Sequence, residues 1–193
     1  MTFDRRAHIV EAATRSFSLF GYKATTMDQV AKLANVGKGT IYTFFKNKEE
    51  LFDEIVENLI ADMKHAAAEA IEPDRGFQEN IHQALYRMLE FRKEHQLTIK
   101  IFQEGQEVGT PVVQEMMDRV EQEILSFIEE KVRKAIERKQ IRPCDPEKTA
   151  FVFIKMYISF IFDWERKRPP LSKEEIAELF DLYIIQGLSR SDS

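Results

Sequence analysis

Residues 26–51, TMDQVAKLANVGKGTIYTFFKNKEEL, leave a folding chain few choices. Thr26-Met27-Asp28-Gln29 has the pattern of a capping box, in which a threonine hydroxyl and a glutamine amide satisfy each other's backbone N–H groups. Val30, Ala31 and Ala34 then recur at helical spacing and supply an inner face. Asn35 stands where this helix must stop, and after glycine it is the residue that best tolerates the left-handed region. Gly37 can cap a further helix over residues 38–45, and Lys48 opens the next. Two short helices, a tight break and a separate chemistry at each boundary together spell a helix-turn-helix.

In such a motif the first residues of the second helix meet base edges, while flanking residues grip phosphates. Lys38 can donate to guanine acceptors or to a phosphate, and Gly39 admits a close backbone approach. Thr40 and Thr43 offer hydroxyls to bases and methyls to thymine, and Tyr42 can place its hydroxyl on a phosphate. Lys46 and Lys48 flank a helix start, where side-chain charge and exposed N–H groups both favour a phosphate. Thr26 can cap its helix and touch the DNA backbone as well. Ile41 and Phe45 are expected in a small core. Charge agrees: residues 1–48 hold eight Lys/Arg against three Asp/Glu, a net of +5, and the remainder carries −10. A basic module on an acidic body suits a polyanion reader.

The rest of the chain reads as helices. Only seven Gly and six Pro occur in 193 residues, so long stretches pass without a breaker. A first helix over 5–20 shows Ile9, Ala12, Ala13, Phe17 and Phe20 on one face, with Gly21 as an expected left-handed cap. A fourth, 48–70, repeats Leu51, Phe52, Ile55, Val56, Leu59, Ile60 and Met63 at three- and four-residue steps. Residues 72–76 form the clearest break. Further helices are expected over 77–94, 97–107, 111–139, 147–166 and 173–188, the third of these about 40 Å long. The fold class is therefore all-α, with about nine helices. A helix-turn-helix DNA-binding domain over 1–48 precedes a helical ligand-binding and dimerisation domain over 49–193, and helix four bridges them. No apolar run approaches the ~18 residues of a membrane span, and MTFDRR lacks the apolar segment of a secretory signal. With a single cysteine, Cys144, a cytoplasmic location is the expectation.

The last two helices each carry two apolar stripes, where a surface helix of a monomer normally shows one. A second stripe must be covered, either by the rest of the body or by another copy; the second is favoured, with Phe151, Ile154, Ile158, Ile161, Ile176, Phe180, Tyr183 and Ile184 expected at a helix-eight/helix-nine interface between two copies.

The order T-x-x-x-V-A-x-x-A-x-V-G-K-G-T-I-Y-x-x-F-x-N-K-E-E-L, with G-Y-x-A-T before it, resembles the N-terminal domain of the TetR family of bacterial repressors over about residues 8–52. The resemblance implies a homodimer, a palindromic operator, and release when a small molecule enters the C-terminal domain. Carried onto matching positions, it makes Thr26, Lys38, Gly39, Thr40, Tyr42 and Lys48 DNA contacts. The chain departs from that pattern at Asn35, where glycine is usual, at Gly37, where Ser or Thr is usual, and at Phe44, where a polar residue or histidine is common.

For a protein of this kind a cavity is expected between helices five, seven and eight. Residues 77–164 are rich in aromatics, so the ligand would be small and largely apolar. Phe91, Phe102, Phe127, Phe153, Tyr157 and Phe160 are the candidate lining, with His82, His95, Gln103 and Glu104 as polar anchors. Those histidines with Glu104, Glu107 and Asp118 lack the spacing of a dedicated metal motif, so neither metal nor cofactor is expected. The competing reading is a helical small-molecule carrier or enzyme with an incidental basic N-terminus. An enzyme should show a nucleophile beside a base, a carboxylate pair or a phosphate loop, and Gly37-Lys38-Gly39-Thr40 lacks the upstream glycine and strand of the last.

Overall fold

The computed structural model describes residues 4–72 and 74–186. Among these lie nine α-helices: α1 Arg5–Ala24, α2 Met27–Leu33, α3 Lys38–Phe44, α4 Lys48–Glu69, α5 Phe77–Glu94, α6 Gln96–Glu107, α7 Pro111–Glu137, α8 Pro146–Ile158 and α9 Lys173–Phe180. Single π-helical turns, Ser159–Asp163 and Asp181–Ile185, extend α8 and α9. Leu188, expected at the end of helix nine, lies outside the described residues.

The helix boundaries follow local chemistry. Asp4 caps α1 by accepting from the N–H groups of Arg6 and Ala7. Asp145 caps α8 with Pro146 in its first turn, where a missing N–H costs nothing. Ser172 and Glu175 form a capping box on α9. The end of α7 is closed by Lys139 at φ 59, with N–H bonds from Lys139 to Ile136 and from Gln140 to Ala135. Gly21 departs from expectation. It has φ 83 and ψ 170, so it does not cap α1; it kinks the chain, which makes one more helical turn to Ala24.

The chain divides into two compact units, and the division does not fall at residue 48. The first comprises the chain to Asp62 together with Arg92–Val120; the second holds Met63–Phe91 and the chain from Glu121. The segment containing α6 thus belongs with the helix-turn-helix. In the first unit α6 lies along α1, and α1, α2 and α3 pack in sequence. Ile9, Ala12, Ala13, Phe17, Val30, Ile41, Phe45, Leu51, Phe52 and Val56 are almost wholly buried there. Burying each of the larger ones contributes about 1.5–3 kcal/mol. Phe17, Tyr22 and Phe52 form an aromatic knot, with ring centroids 4.7–5.8 Å apart. Ion pairs Arg6–Glu54 and Arg119–Asp53 tie α1 and α7 to α4.

In the second unit Leu85 and Leu89 of α5 meet Ile161, Ile176, Ala177 and Phe180. A neighbouring cluster joins Val132, Ala135 and Ile141. These burials correct the expected dimer face. Ile154, Ile161, Ile176 and Phe180 are at most 5% exposed within the single chain, and the last three pack with Leu85 and Leu89 of α5. Phe151 and Tyr183 remain exposed, with Val152 and Leu182 beside them, and Ile158 and Ile184 are half-buried.

Candidate nucleic-acid interface

The turn between α2 and α3 is closed by two crossed hydrogen bonds. The Val36 N–H donates to the Ala31 carbonyl at 3.0 Å, and the Asn35 N–H to that of Lys32 at 3.1 Å. This is the Schellman arrangement, and it needs a left-handed residue at the position of Asn35. Asn35 has φ 50. Val36, half-buried, then packs into the core and completes the motif. At the other end of α2 the Thr26 hydroxyl accepts from the Gln29 N–H at 3.3 Å, and the Thr26 N–H donates to Gln29 Oε1 at 2.9 Å. Gly37 caps α3 with extended backbone and no side-chain bond. Both departures from the usual turn residues are conformationally satisfied.

The recognition helix shows two faces. Ile41 is buried, and Phe45 just beyond the helix is 1% exposed. Lys38, Gly39, Tyr42 and Thr43 face outward, with Thr40 half-buried beside them. The Thr43 hydroxyl donates to the Thr40 carbonyl at 2.6 Å. Phe44 packs against the core, which accounts for an aromatic where a polar contact residue is common. Lys38 Nζ lies 2.9 Å from Asp28, and that pairing raises its pKa. Lys46 is exposed, while its backbone N–H donates to Glu50 at 2.6 Å.

Lys48, expected at a phosphate, is half-buried and also holds backbone groups. Its ammonium donates to the carbonyls of Tyr22 at 2.8 Å and Thr25 at 3.0 Å, and lies 4.2 Å from the Tyr22 ring centroid. Of three ammonium donors, two therefore serve the α1–α2 connection. Burial pushes its pKa down, against the opposing effect of Glu104 and Glu49. The adjacent Tyr22 phenol is pushed up to about 12, first by burial and then by the same two carboxylates.

The expected effector residues are divided between the two units. Phe102 and Gln103 sit on α6 in the first unit, and Gln103 is exposed. Glu104 is no ligand anchor, because its carboxylate is buried and accepts from the backbone of α1. In the second unit Phe91 is buried, and Phe153, Tyr157 and Phe160 pack against the Leu85–Phe180 cluster. The Tyr157 hydroxyl donates to the Met88 carbonyl at 3.2 Å. His82 Nε2 stands 3.8 Å from Asp181, and Lys131 covers the Phe127 ring. An open groove between α7 and α8 is lined by Leu125, Glu129, Glu147, Lys148, Ala150 and Phe151. Among the described residues no group of His, Cys, Asp and Glu could hold a metal ion, and no helix is long and apolar enough to cross a membrane.

Residues 9–55 match the profile of the bacterial regulatory proteins of the tetR family, and residues 74–188 that of the tetracyclin repressor-like C-terminal domain. The HTH-type transcriptional regulator YhgD of Bacillus subtilis strain 168 is 62% identical over 189 residues, 98% of this chain and 99% of that one. The HTH-type transcriptional repressor SCO4008 of Streptomyces coelicolor is 31% identical over 117 residues, 60% and 57% of the two chains. Two solved structures share the fold at lower identity. AibR, in complex with isovaleryl coenzyme A and operator DNA, gives a TM-score of 0.66 at 24% identity over 93% of this chain and 97% of its own. The SmeT–triclosan complex gives 0.77 at 19% identity, covering 97% and 93%. With both parts matched, the chain belongs to the TetR family of bacterial transcriptional regulators.

Proposed function

We propose that this regulator is a homodimeric repressor. It reads a palindromic operator with α3 of each copy in successive major grooves, and it lets go when a small, largely apolar molecule binds its C-terminal helices. The observation that carries the reading is the outward face of α3. Lys38, Gly39, Tyr42 and Thr43 project from a helix whose other side is locked by Ile41 and Phe45. Base edges take the threonines and Lys38, while phosphates take Tyr42, Lys46, Thr26 and the remaining donor of Lys48. The second copy covers Phe151, Val152, Leu182 and Tyr183, apolar side chains that are 47–65% exposed in one chain.

AibR was solved with isovaleryl coenzyme A and operator DNA together, and SmeT with triclosan, so proteins of this fold take small molecules that carry an apolar part. In the present chain Phe153, Tyr157 and Phe160 are the aromatic side chains best suited to such a ligand. The helix α4 begins beside the recognition helix at Lys48 and continues to Glu69 in the second unit. A ligand that shifts α4 changes the spacing of two readers that must sit about 34–36 Å apart. Release requires unequal ligand affinity for the two arrangements, typically worth about 1–3 kcal/mol.

The test is a mobility shift on DNA upstream of the protein's own gene, at rising salt. A sequence-specific shift that weakens steeply with salt is expected, since each phosphate contact releases counterions. No sequence-specific shift at any salt would refute the reading. Fatty acids, acyl coenzyme A esters and dyes, screened by thermal shift, supply the effector arm; a binder with equal affinity for free and DNA-bound protein would remove ligand release.

A further inference from the structure

We infer that Glu104 is a positioning residue for DNA reading: its buried carboxylate grips the α1–α2 connection and so sets the orientation of the recognition helix. Glu104 lies on α6 and is 7% exposed. Its Oε2 accepts from the Tyr22 N–H at 2.6 Å, and its Oε1 from the Lys23 N–H at 2.9 Å. The Thr110 hydroxyl donates to Oε1 at 3.1 Å and steadies the carboxylate.

The two N–H groups need an outside acceptor because Gly21, at φ 83 and ψ 170, breaks the helical ladder just before them. Gly21 is also what lets the acceptor in. A Cβ there would overlap Glu104 Oε2, so a side chain at residue 21 and a carboxylate at residue 104 exclude each other. The same segment is held from its other side, for Lys48 Nζ takes the carbonyls of Tyr22 and Thr25. The Thr25 hydroxyl closes the connection by donating to the Gly21 carbonyl at 2.8 Å, with the Ser16 hydroxyl 3.1 Å from it. An anion on the N–H side and a cation on the C=O side thus clamp one short segment, and that segment leads directly into α2.

A buried carboxylate is a poor way to gain stability, because desolvation offsets most of what its bonds return. It is a good way to fix direction, since charge-assisted bonds to two successive N–H groups tolerate little rotation. Operator recognition needs that direction, because base edges must be met in register on both half-sites. Binding to arbitrary DNA does not, because it rests on phosphate charge alone.

The inference rests on the operator reading above, and the experiment separates the two. Full-length Glu104→Gln and Glu104→Asp are compared with wild type for operator DNA and random-sequence DNA across a salt series, with helical circular dichroism as the folding check. Glutamine turns an amide N–H against one backbone donor, and aspartate is too short to reach both. Both variants should bind operator about ten-fold or more weakly, with unchanged affinity and salt slope on random DNA. If one variant fails to fold, the other decides. Wild-type operator affinity in a folded variant, a parallel loss on both DNAs, or unfolding of both variants would overturn the positioning role. A wild-type protein with no preference for operator would instead overturn the reading beneath it, and this inference with it.

Discussion

Substitution of Asn35 tests whether the reader is held by its turn. Asn35 sits at φ 50, where an L side chain costs about 1–2 kcal/mol relative to glycine and asparagine recovers part of that cost by local hydrogen bonding. Asn35→Gly should therefore stabilise by about 0.5–1 kcal/mol, Asn35→Ala destabilise by about 1, and the β-branched Asn35→Val by about 2. For cooperative unfolding of 193 residues, each kcal/mol moves the midpoint by about 2–4 °C. The series should thus span roughly 5–12 °C in the order Gly, Asn, Ala, Val. Thermal denaturation followed by circular dichroism reads this directly. Operator affinity should fall in the same order, because losing the Val36-to-Ala31 and Asn35-to-Lys32 bonds frees α3 from α2. A valine variant that melts with the glycine variant would refute a left-handed residue at this turn, and the account of the reader built on it.

Three further outcomes follow from the same geometry. Lys38→Ala should weaken operator binding by about 1–3 kcal/mol and relax its sequence preference while changing affinity for random DNA much less; an equal loss on operator and random DNA would strike Lys38 from the base contacts. Tyr22 is an acid whose folded pKa, about 12, exceeds its unfolded value of 10.0, so the folded protein keeps the extra proton and stability falls as pH rises through that window. Tyrosinate absorption and melting at alkaline pH check this, and Tyr22→Phe should flatten the loss; an equally steep decline in that variant would assign it elsewhere. Tyr183→Asp, on a side chain 65% exposed, should shift sedimentation toward monomer and abolish operator binding while leaving the single-chain helicity intact; an unchanged dimer would move the interface off the π-helical turn that extends α9.

Much of the reader was legible in residue order because its determinants are local. The Thr26–Gln29 capping box, the left-handed Asn35 and the Gly37 cap each concern groups within five residues of one another, so spacing and side-chain type suffice. The division of α3 into Ile41 and Phe45 inward, Lys38 and Tyr42 outward, follows equally from helical periodicity. The π-helical turns after α8 and α9 were not legible, because a slip from i+4 to i+5 bonding leaves no signal in apolar spacing.

Other features were decided by partners distant in the chain. Periodicity marked Ile161, Ile176 and Phe180 as apolar but carried no information on whether this chain or a second copy would cover them; within this chain they pack with Leu85 and Leu89 of α5. Lys48 looked like a phosphate ligand from its place at a helix start, and only the fold brought the Tyr22 and Thr25 carbonyls to it. Glu104 looked like a polar anchor among aromatics, until the fold set it 82 residues away against the Tyr22 N–H. The sequence by itself determined a helix-turn-helix on an all-α body, since helices and their caps are written in contacts of a few residues. The tertiary structure decided which charges stay exposed and which hold backbone groups of the reader, since burial and long-range hydrogen bonds exist only once the helices have met.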